Sequence, residues 1–237
     1  MHPAPPARDK LPAYIQIAEV VARNIASGRL LDGDKLPTER AMAEEYQVAV
    51  GTLRKALDVL VEQGHVERRQ GSGNYIRHAD GARSVYALLR LELRGGGGLP
   101  TAEILAIDHV RKPAGAPQFG SSAMAHRFRR LRFLDGKAAA LEEIFIDADR
   151  SGAIDAQAVS ESLYYFYQHD LGILVSRATD TIGLGHVPDW TLHRFGPDAQ
   201  SPVPFVERVA YDQNTQPFEY SRTWIDADIA AYVSRLK

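Results

Sequence analysis

Two sets of arginines hold most of the chemistry available to this sequence. Arg130 and Arg132 stand two residues apart in a strand-like segment, 125–134. Strand residues two apart point to the same face, and two guanidinium groups on one face can grip a phosphate or carboxylate bidentately. Turned to solvent, the same pair is ordinary surface charge. Ser162 falls in the first turn of an expected helix, 160–171, where its hydroxyl and the free N–H groups of the helix start could hold the same anion. It could also cap the helix, and the two roles can coexist. Tyr164 could close over a ligand or pack. The second set of arginines lies towards the N-terminus. Arg40 and Arg54 fall on two successive expected helices, and their planar forks suit a phosphate or a guanine edge. Thr52, near the start of the later helix, can donate its hydroxyl to phosphate beside free helix N–H groups. Gly71 and Gly73 let a hairpin tip approach a groove closely, with Arg68 and Arg69 supplying charge beside it.

Patterns for catalysis and for metals are missing. No Gly-x-Ser-x-Gly elbow occurs. His109, His126, His169, His186 and His193 are scattered, with no helical i,i+4 pair of the kind that binds zinc. Cysteine is absent, which excludes disulfides and thiolate sites and is compatible with a reducing cytoplasm. The glycine run 95–98 lacks the Lys-Ser/Thr of a nucleotide loop and reads as a flexible hairpin tip or linker. No catalytic residue, metal or cofactor is therefore expected, and the chain does not read as an enzyme. No run of eighteen apolar residues is present, so no transmembrane helix is expected. The proline-rich first ten residues do not resemble a secretion signal. The reading is of a cytoplasmic protein. Formal net charge is only −2 over 237 residues. Up to His78 there are 11 Lys and Arg against 10 Asp and Glu, a net of +1. Any contact with nucleic-acid phosphates must come from local placement rather than bulk charge.

The elements that would position these groups follow from periodicity. Tyr14, Ile17, Val21 and Ile25 mark one apolar stripe of a first helix that begins near Pro12 and stops at Ser27 and Gly28. Thr38 is a good N-cap for a second helix, running to about Tyr46. A third covers roughly 50–63, with Leu53, Leu57 and Leu60 on one face, and stops at Gly64. Segments 65–69 and 74–77 form a hairpin around Gly71-Ser72-Gly73. This order of helix, turn, helix and basic hairpin suits a winged helix-turn-helix. Segment 85–94 reads as a short strand or helix. Beyond it, strand-like runs at 102–112, 125–134 and 139–147 precede the helix at 160–171. A strand at 173–184, a short helix at 189–195, strands at 204–211 and 218–226, and a last strand or helix at 231–236 complete the chain. Asp135-Gly136 and residues 212–215 mark two hairpin turns. Residues 205–206 and 218–220 read as core. The fold class is α+β, with helices first and an antiparallel sheet after them.

Residues 14–76 resemble the N-terminal domain of the GntR family of bacterial transcription factors. The resemblance is carried by Tyr14-Ile15-Gln16-Ile17, Leu36-Pro37-Thr38-Glu39-Arg40, Thr52-Leu53-Arg54-Lys55-Ala56-Leu57 with Leu60, and the Gly71-Ser72-Gly73 wing. It implies DNA contacts at Tyr14, Thr38 and Arg40, at Gly51, Thr52, Arg54 and Lys55, and at Arg68, Gly71 and Ser72. One departure stands out. Where relatives show Val-Ser-Arg at the start of the third helix, this chain has Val48-Ala49-Val50. Ala49 cannot cap the helix as Ser would, a loss of about 1 kcal/mol. Val50 removes an arginine that reaches a base edge in relatives, so an atypical operator is expected, although Val50 could meet a thymine methyl.

Residues 83–237 resemble the ligand-binding UTRA domain of the HutC subfamily, which has a chorismate-lyase-like fold. The residues are Arg130-Leu131-Arg132 before Asp135-Gly136, then Glu142, Ser162-Leu163-Tyr164 and Glu219-Tyr220-Ser221-Arg222. The resemblance implies that Arg130, Arg132, Ser162 and Tyr164 hold the anionic end of an effector, while Glu142 and Glu219 meet its hydroxyl or amine groups. The expected organisation is a winged helix-turn-helix domain at 10–78, a linker at 79–98, and an effector-binding and dimerisation domain at 99–237. The expected protein is a homodimeric regulator, a repressor, on a palindromic double-stranded operator. A small anionic effector, a sugar phosphate, would control it; a carboxylate such as a histidine-catabolism intermediate, or no ligand at all, are the alternatives.

Overall fold

A computed structural model describes residues 12–26, 28–77, 90–154, 159 and 162–235. The chain divides into two compact units near residue 91, with residues from 232 onward grouping with the first. The expectations for residues 1–10, Ser27, 85–89, Ser160 and Leu236 lie outside the described residues.

The N-terminal unit is built from helices α1 (Ala13–Ala26), α2 (Glu39–Glu45) and α3 (Val50–Glu62), followed by the hairpin strands β1 (Val66–Arg69) and β2 (Gly73–Ile76). The apolar stripes foreseen in α1 and α3 face one another. Ile17, Val21 and Ile25 meet Leu53, Leu57 and Leu60 in a core closed by Leu36, Met42, Val66 and Ile76. Gly28, at φ 72°, ends α1, and the Arg29 N–H returns to the Asn24 carbonyl at 2.8 Å. Leu57 is fully buried, so Leu57→Ala is expected to cost about 2–5 kcal/mol, read as a fall in the urea midpoint of unfolding.

From residue 91 on, the chain carries the strands β3 (Leu91–Leu93), β4 (Pro100–Arg111), β5 (Met124–Leu134), β6 (Lys137–Asp147), β7 (Arg177–His186), β8 (Pro202–Tyr211), β9 (Pro217–Ile225) and β10 (Ala230–Tyr232), with helices α4 (Ala148–Ser151) and α5 (Leu163–Asp170). Six strands form one antiparallel sheet in the order β4-β5-β6-β9-β8-β7. β3 pairs with β10 in a separate two-stranded sheet. Glycines 96, 97 and 98, all at positive φ, turn the chain from β3 into β4. Asp135 and Gly136, at φ 48° and 73°, make the tight turn between β5 and β6.

Helix α5 covers one sheet face. Its Leu163, Phe166 and Tyr167 pack on Ile104, Phe128, Ile144, Ile146, Ala210 and Phe218. The opposite face buries Leu131, Leu141, Phe195, Val203 and Trp224, with Trp190 edge-on to Trp224.

Several elements differ from the expectation. β7 starts at Arg177, not at 173, because the Ile173 N–H is drawn back to the Tyr167 carbonyl at 2.8 Å after the Gly172 turn. Only His193–Phe195 of the expected helix at 189–195 is helical, as one 3-10 turn, since the chain first turns at Pro188. The short α4 was not foreseen; Asp147 caps it by accepting from the Asp149 N–H at 3.1 Å.

Candidate nucleic-acid interface and candidate ligand site

In the N-terminal unit the geometry sorts the candidate DNA contacts into exposed groups and framework. The Thr38 hydroxyl caps α2, accepting from the Ala41 N–H at 3.2 Å. Arg54 donates from Nε to Glu39 at 2.7 Å, so a residue of α2 aims a guanidinium of α3. Arg40 and Lys55 are exposed, Gly51 opens the surface at the start of α3, and Thr52 is half-buried in its first turn. Tyr14 packs against the core from its edge, and Val50 does the same. Ala49 is the N-cap of α3 and makes no side-chain cap bond, as its side chain dictates. Ala49→Ser is therefore expected to stabilise the fold by about 0.5–2 kcal/mol, measured by chemical denaturation.

The hairpin tip is braced. Arg68 reaches Asp58 of α3 at 2.6 Å. Gly71 at φ 72° makes the turn, and the exposed Ser72 shares a hydrogen bond with the Tyr75 hydroxyl at 2.7 Å. The Tyr75 ring lies under the Arg69 guanidinium at 4.3 Å and near the Lys35 ammonium at 5.9 Å. Sequence reading missed Lys35 and Tyr75. Cation–π stacking holds two cations beside the tip that should approach DNA.

In the sheet unit, antiparallel register gathers charge beneath α5. Arg130 lies opposite Glu142 across β5 and β6. Arg130 donates from Nε and Nη2 to one Glu142 oxygen at 3.0 and 2.6 Å. Arg132 donates from Nε to the other oxygen at 3.1 Å and from Nη2 to the first at 3.2 Å. All three residues are buried. Burial pushes the Glu142 carboxyl up, but the charges and hydrogen bonds of both arginines outweigh it and hold it at about 2. Two guanidiniums thus converge on one carboxylate. Glu142 is the pivot of a triad.

Next to the triad, Glu219 accepts from the Tyr167 hydroxyl at 2.7 Å, and burial pushes its carboxyl above its ordinary range. Arg208 of β8 grips Asp180 of β7 with two bonds of 2.6 Å and reaches the Tyr164 hydroxyl at 3.4 Å. Burial and the nearby Glu219 push the Tyr164 phenol up to about 12, so it stays protonated and can donate. Ser162 caps α5 through the Tyr165 N–H at 3.4 Å. Asp180, Tyr167 and Arg208 were missed as site residues. Arg208 and Asp180 become partners only once β7 and β8 are in register.

Elsewhere, His109 and His126 come together across β4 and β5 with ring centroids 4.9 Å apart. Among the described residues no group of three or more His, Asp or Glu could hold a metal. No helix of the described residues is long and apolar enough to cross a membrane.

A winged head on the same chain as a sheet domain with a charged polar face under a helix is the make-up of a transcriptional regulator. Residues 13–76 match the bacterial regulatory proteins of the gntR family, and residues 96–230 match the UTRA domain. The chain belongs to the GntR family and has the HutC-like pairing of a GntR head with a UTRA domain. It is similar to the HTH-type transcriptional regulator SmoD of Agrobacterium fabrum, 51% identical over 96% of this chain and 97% of that one. It is 29% identical to the mannosyl-D-glycerate transport/metabolism system repressor MngR of Escherichia coli, over 92% of each chain. Its fold is like that of the possible transcriptional regulator YydK of Bacillus subtilis, with TM-score 0.54, 22% identity, and coverage of 95% of this chain and 99% of that one. SmoD is a regulator of transcription, not an enzyme, and so is this protein.

Proposed function

We propose that this regulator acts in the cytoplasm as a homodimeric repressor on a palindromic operator, and that a sugar-derived anion, a sugar phosphate, releases it. The observation that carries the ligand reading is the Arg130-Arg132-Glu142 triad. Its two guanidiniums are buried side by side on the polar face under α5, a pairing suited to gripping an anion. Glu219 and the Tyr164 and Tyr167 hydroxyls lie near the triad and offer donors and acceptors suited to sugar hydroxyls. The repressor named for mannosyl-D-glycerate is a relative, and glycerate is a carboxylate, which supports a sugar-linked carboxylate as the second reading. One winged head reads one half-site, so a symmetric dimer suits a palindrome. Effector control requires different affinities for the DNA-bound and released arrangements.

Differential scanning fluorimetry with glucose 6-phosphate, N-acetylglucosamine 6-phosphate, mannosylglycerate and urocanate tests the ligand reading. A rise in melting temperature with one sugar phosphate supports it. A response confined to mannosylglycerate or urocanate moves the assignment to a carboxylate. No response to any of the four counts against an anion sensor. On DNA, Arg40→Ala is expected to weaken operator binding by about 1–3 kcal/mol, measured by fluorescence anisotropy at fixed salt. A binding selection is expected to return an operator without the G–C pair that relatives read with the arginine here replaced by Val50; recovery of that pair would overturn the assignment of specificity to Arg40, Arg54 and the wing.

A further inference from the structure

The two edges of the six-stranded sheet are treated very differently. At one edge, β4 has a register break between Ile104 and Ala106, and it carries Glu103, Asp108 and Arg111. Glu103 is tied to Arg194 and Asp108 to Arg127. Bulges and charges are how an edge strand is kept from pairing with another chain. At the other edge, β7 pairs with β8 over ten residues without a register break. Its stretch 181–185, Thr-Ile-Gly-Leu-Gly, has no charge and no proline. Ile182 is 56% exposed and Leu184 80%, two of the three exposed large hydrophobics among the described residues. An unbroken edge with an uncharged stretch and exposed apolar side chains is open to pairing with another strand.

The geometry points to β7 as the strand through which two copies of this chain join, antiparallel, about a two-fold axis at Gly183. This rests on the homodimer proposed above and says where it is made. In that register Ile182 faces Leu184 of the partner subunit. Asp180 faces His186 of the partner subunit, an acid opposite a base. Gly183 meets its own copy, and the space at its Cβ position is open. Directly opposed residues in an antiparallel pair lie on one face. Asp180, Ile182 and Leu184 alternate along β7 and so share the face that carries Arg208 and α5. The same strand therefore holds a residue of the ligand site, Asp180 bonded to Arg208, and the subunit contact two residues further on. A ligand that draws Arg208 from Asp180 would act directly on the strand that joins the subunits.

Two variants of the full-length chain test this. The chain has no cysteine, so Gly183→Cys introduces a single thiol. At the axis the two Cα atoms would stand roughly 4.5–5.5 Å apart, within disulfide range. Mild oxidation with copper phenanthroline is expected to yield a covalent dimer, and adding Leu184→Lys is expected to abolish it. By analytical ultracentrifugation, Ile182→Lys with Leu184→Lys is expected to raise the dimer dissociation constant roughly 100-fold or more, because lysines then face lysines. Both side chains are exposed in the single chain, so far-UV circular dichroism should not change. A folded double variant that stays as dimeric as the parent, or a Gly183→Cys chain that forms no disulfide, overturns the β7 interface while leaving the homodimer intact. A parent chain that is itself monomeric overturns the homodimer as well.

Discussion

Glu142→Gln is expected to destabilise the sheet unit by about 3–5 kcal/mol, the usual cost of removing one partner from a buried ion pair. Glutamine keeps the shape of the side chain but not the charge. Two buried guanidiniums then face one another with no carboxylate between them, where four donated bonds had converged on two oxygens. The same residue sets a pH dependence whose sign is definite. Its carboxyl lies at about 2 in the folded chain against an ordinary 4.5. A depressed value means that the stabilisation is fully present above the ordinary value and is lost as pH falls from about 4.5 towards 2. Urea unfolding of the parent between pH 5 and pH 2.5 should show that loss, and Glu142→Gln should lack this contribution to it. The variant has a second signature. With one negative charge fewer beside the two guanidiniums, it should gain more stability than the parent from added inorganic phosphate. An unchanged urea midpoint at neutral pH would mean that Glu142 does not hold the arginines in solution.

The parts of this fold that were legible in the sequence are those fixed by near neighbours. The stripes of α1 and α3, the Thr38 cap, the missing cap at Ala49 and the Asp135-Gly136 turn depend on spacings of a few residues. Arg130 and Arg132 share a face because strand geometry requires it. What surrounds them was not legible. Glu142 meets Arg130 only because the β5–β6 turn fixes a register in which 130 lies opposite 142. Asp180 meets Arg208 through the pairing of β7 with β8, across an intervening stretch that gives no sign of the match. Tyr167 looked like one more apolar residue of α5. Its ring does pack edge-on against Phe218, while its hydroxyl reaches Glu219. A tyrosine can serve a core and a polar site at once, and helical spacing reports only the first role.

Register also explains why the ligand site carries charge without collapsing. Arg208 is matched by Asp180 with two short bonds, so that pair is neutral. Burial pushes the Glu219 carboxyl up, while the bond donated by Tyr167 and the charges of Arg208 and Arg130 pull it down. The two guanidiniums of the triad are thus flanked by groups that could act as hydrogen-bonding walls. An anion at this candidate site would meet two guanidiniums set on one carboxylate, which favours a directional grip over a diffuse one.

That arrangement makes Arg132→Met the sharpest functional test. The substitution turns a triad of net charge +1 into a neutral Arg130–Glu142 pair whose two bonds, at 3.0 and 2.6 Å, remain. The fold should lose far less than in Glu142→Gln, since no charge is left uncompensated. Anion binding should weaken by about 1.5–3 kcal/mol, the worth of hydrogen bonds to a charged group, or roughly 10- to 150-fold in dissociation constant. Titration calorimetry with whichever sugar phosphate stabilises the parent reads this directly, and operator binding by the unliganded variant should be unchanged, because the reading head is untouched. The pair of variants separates structure from recognition. Glu142→Gln should be fragile but responsive to anions, and Arg132→Met sturdy but unresponsive. Were Arg132→Met to bind the effector as the parent does, the anion would not be held by the triad, and Arg208, released from Asp180, would be the group left to hold it.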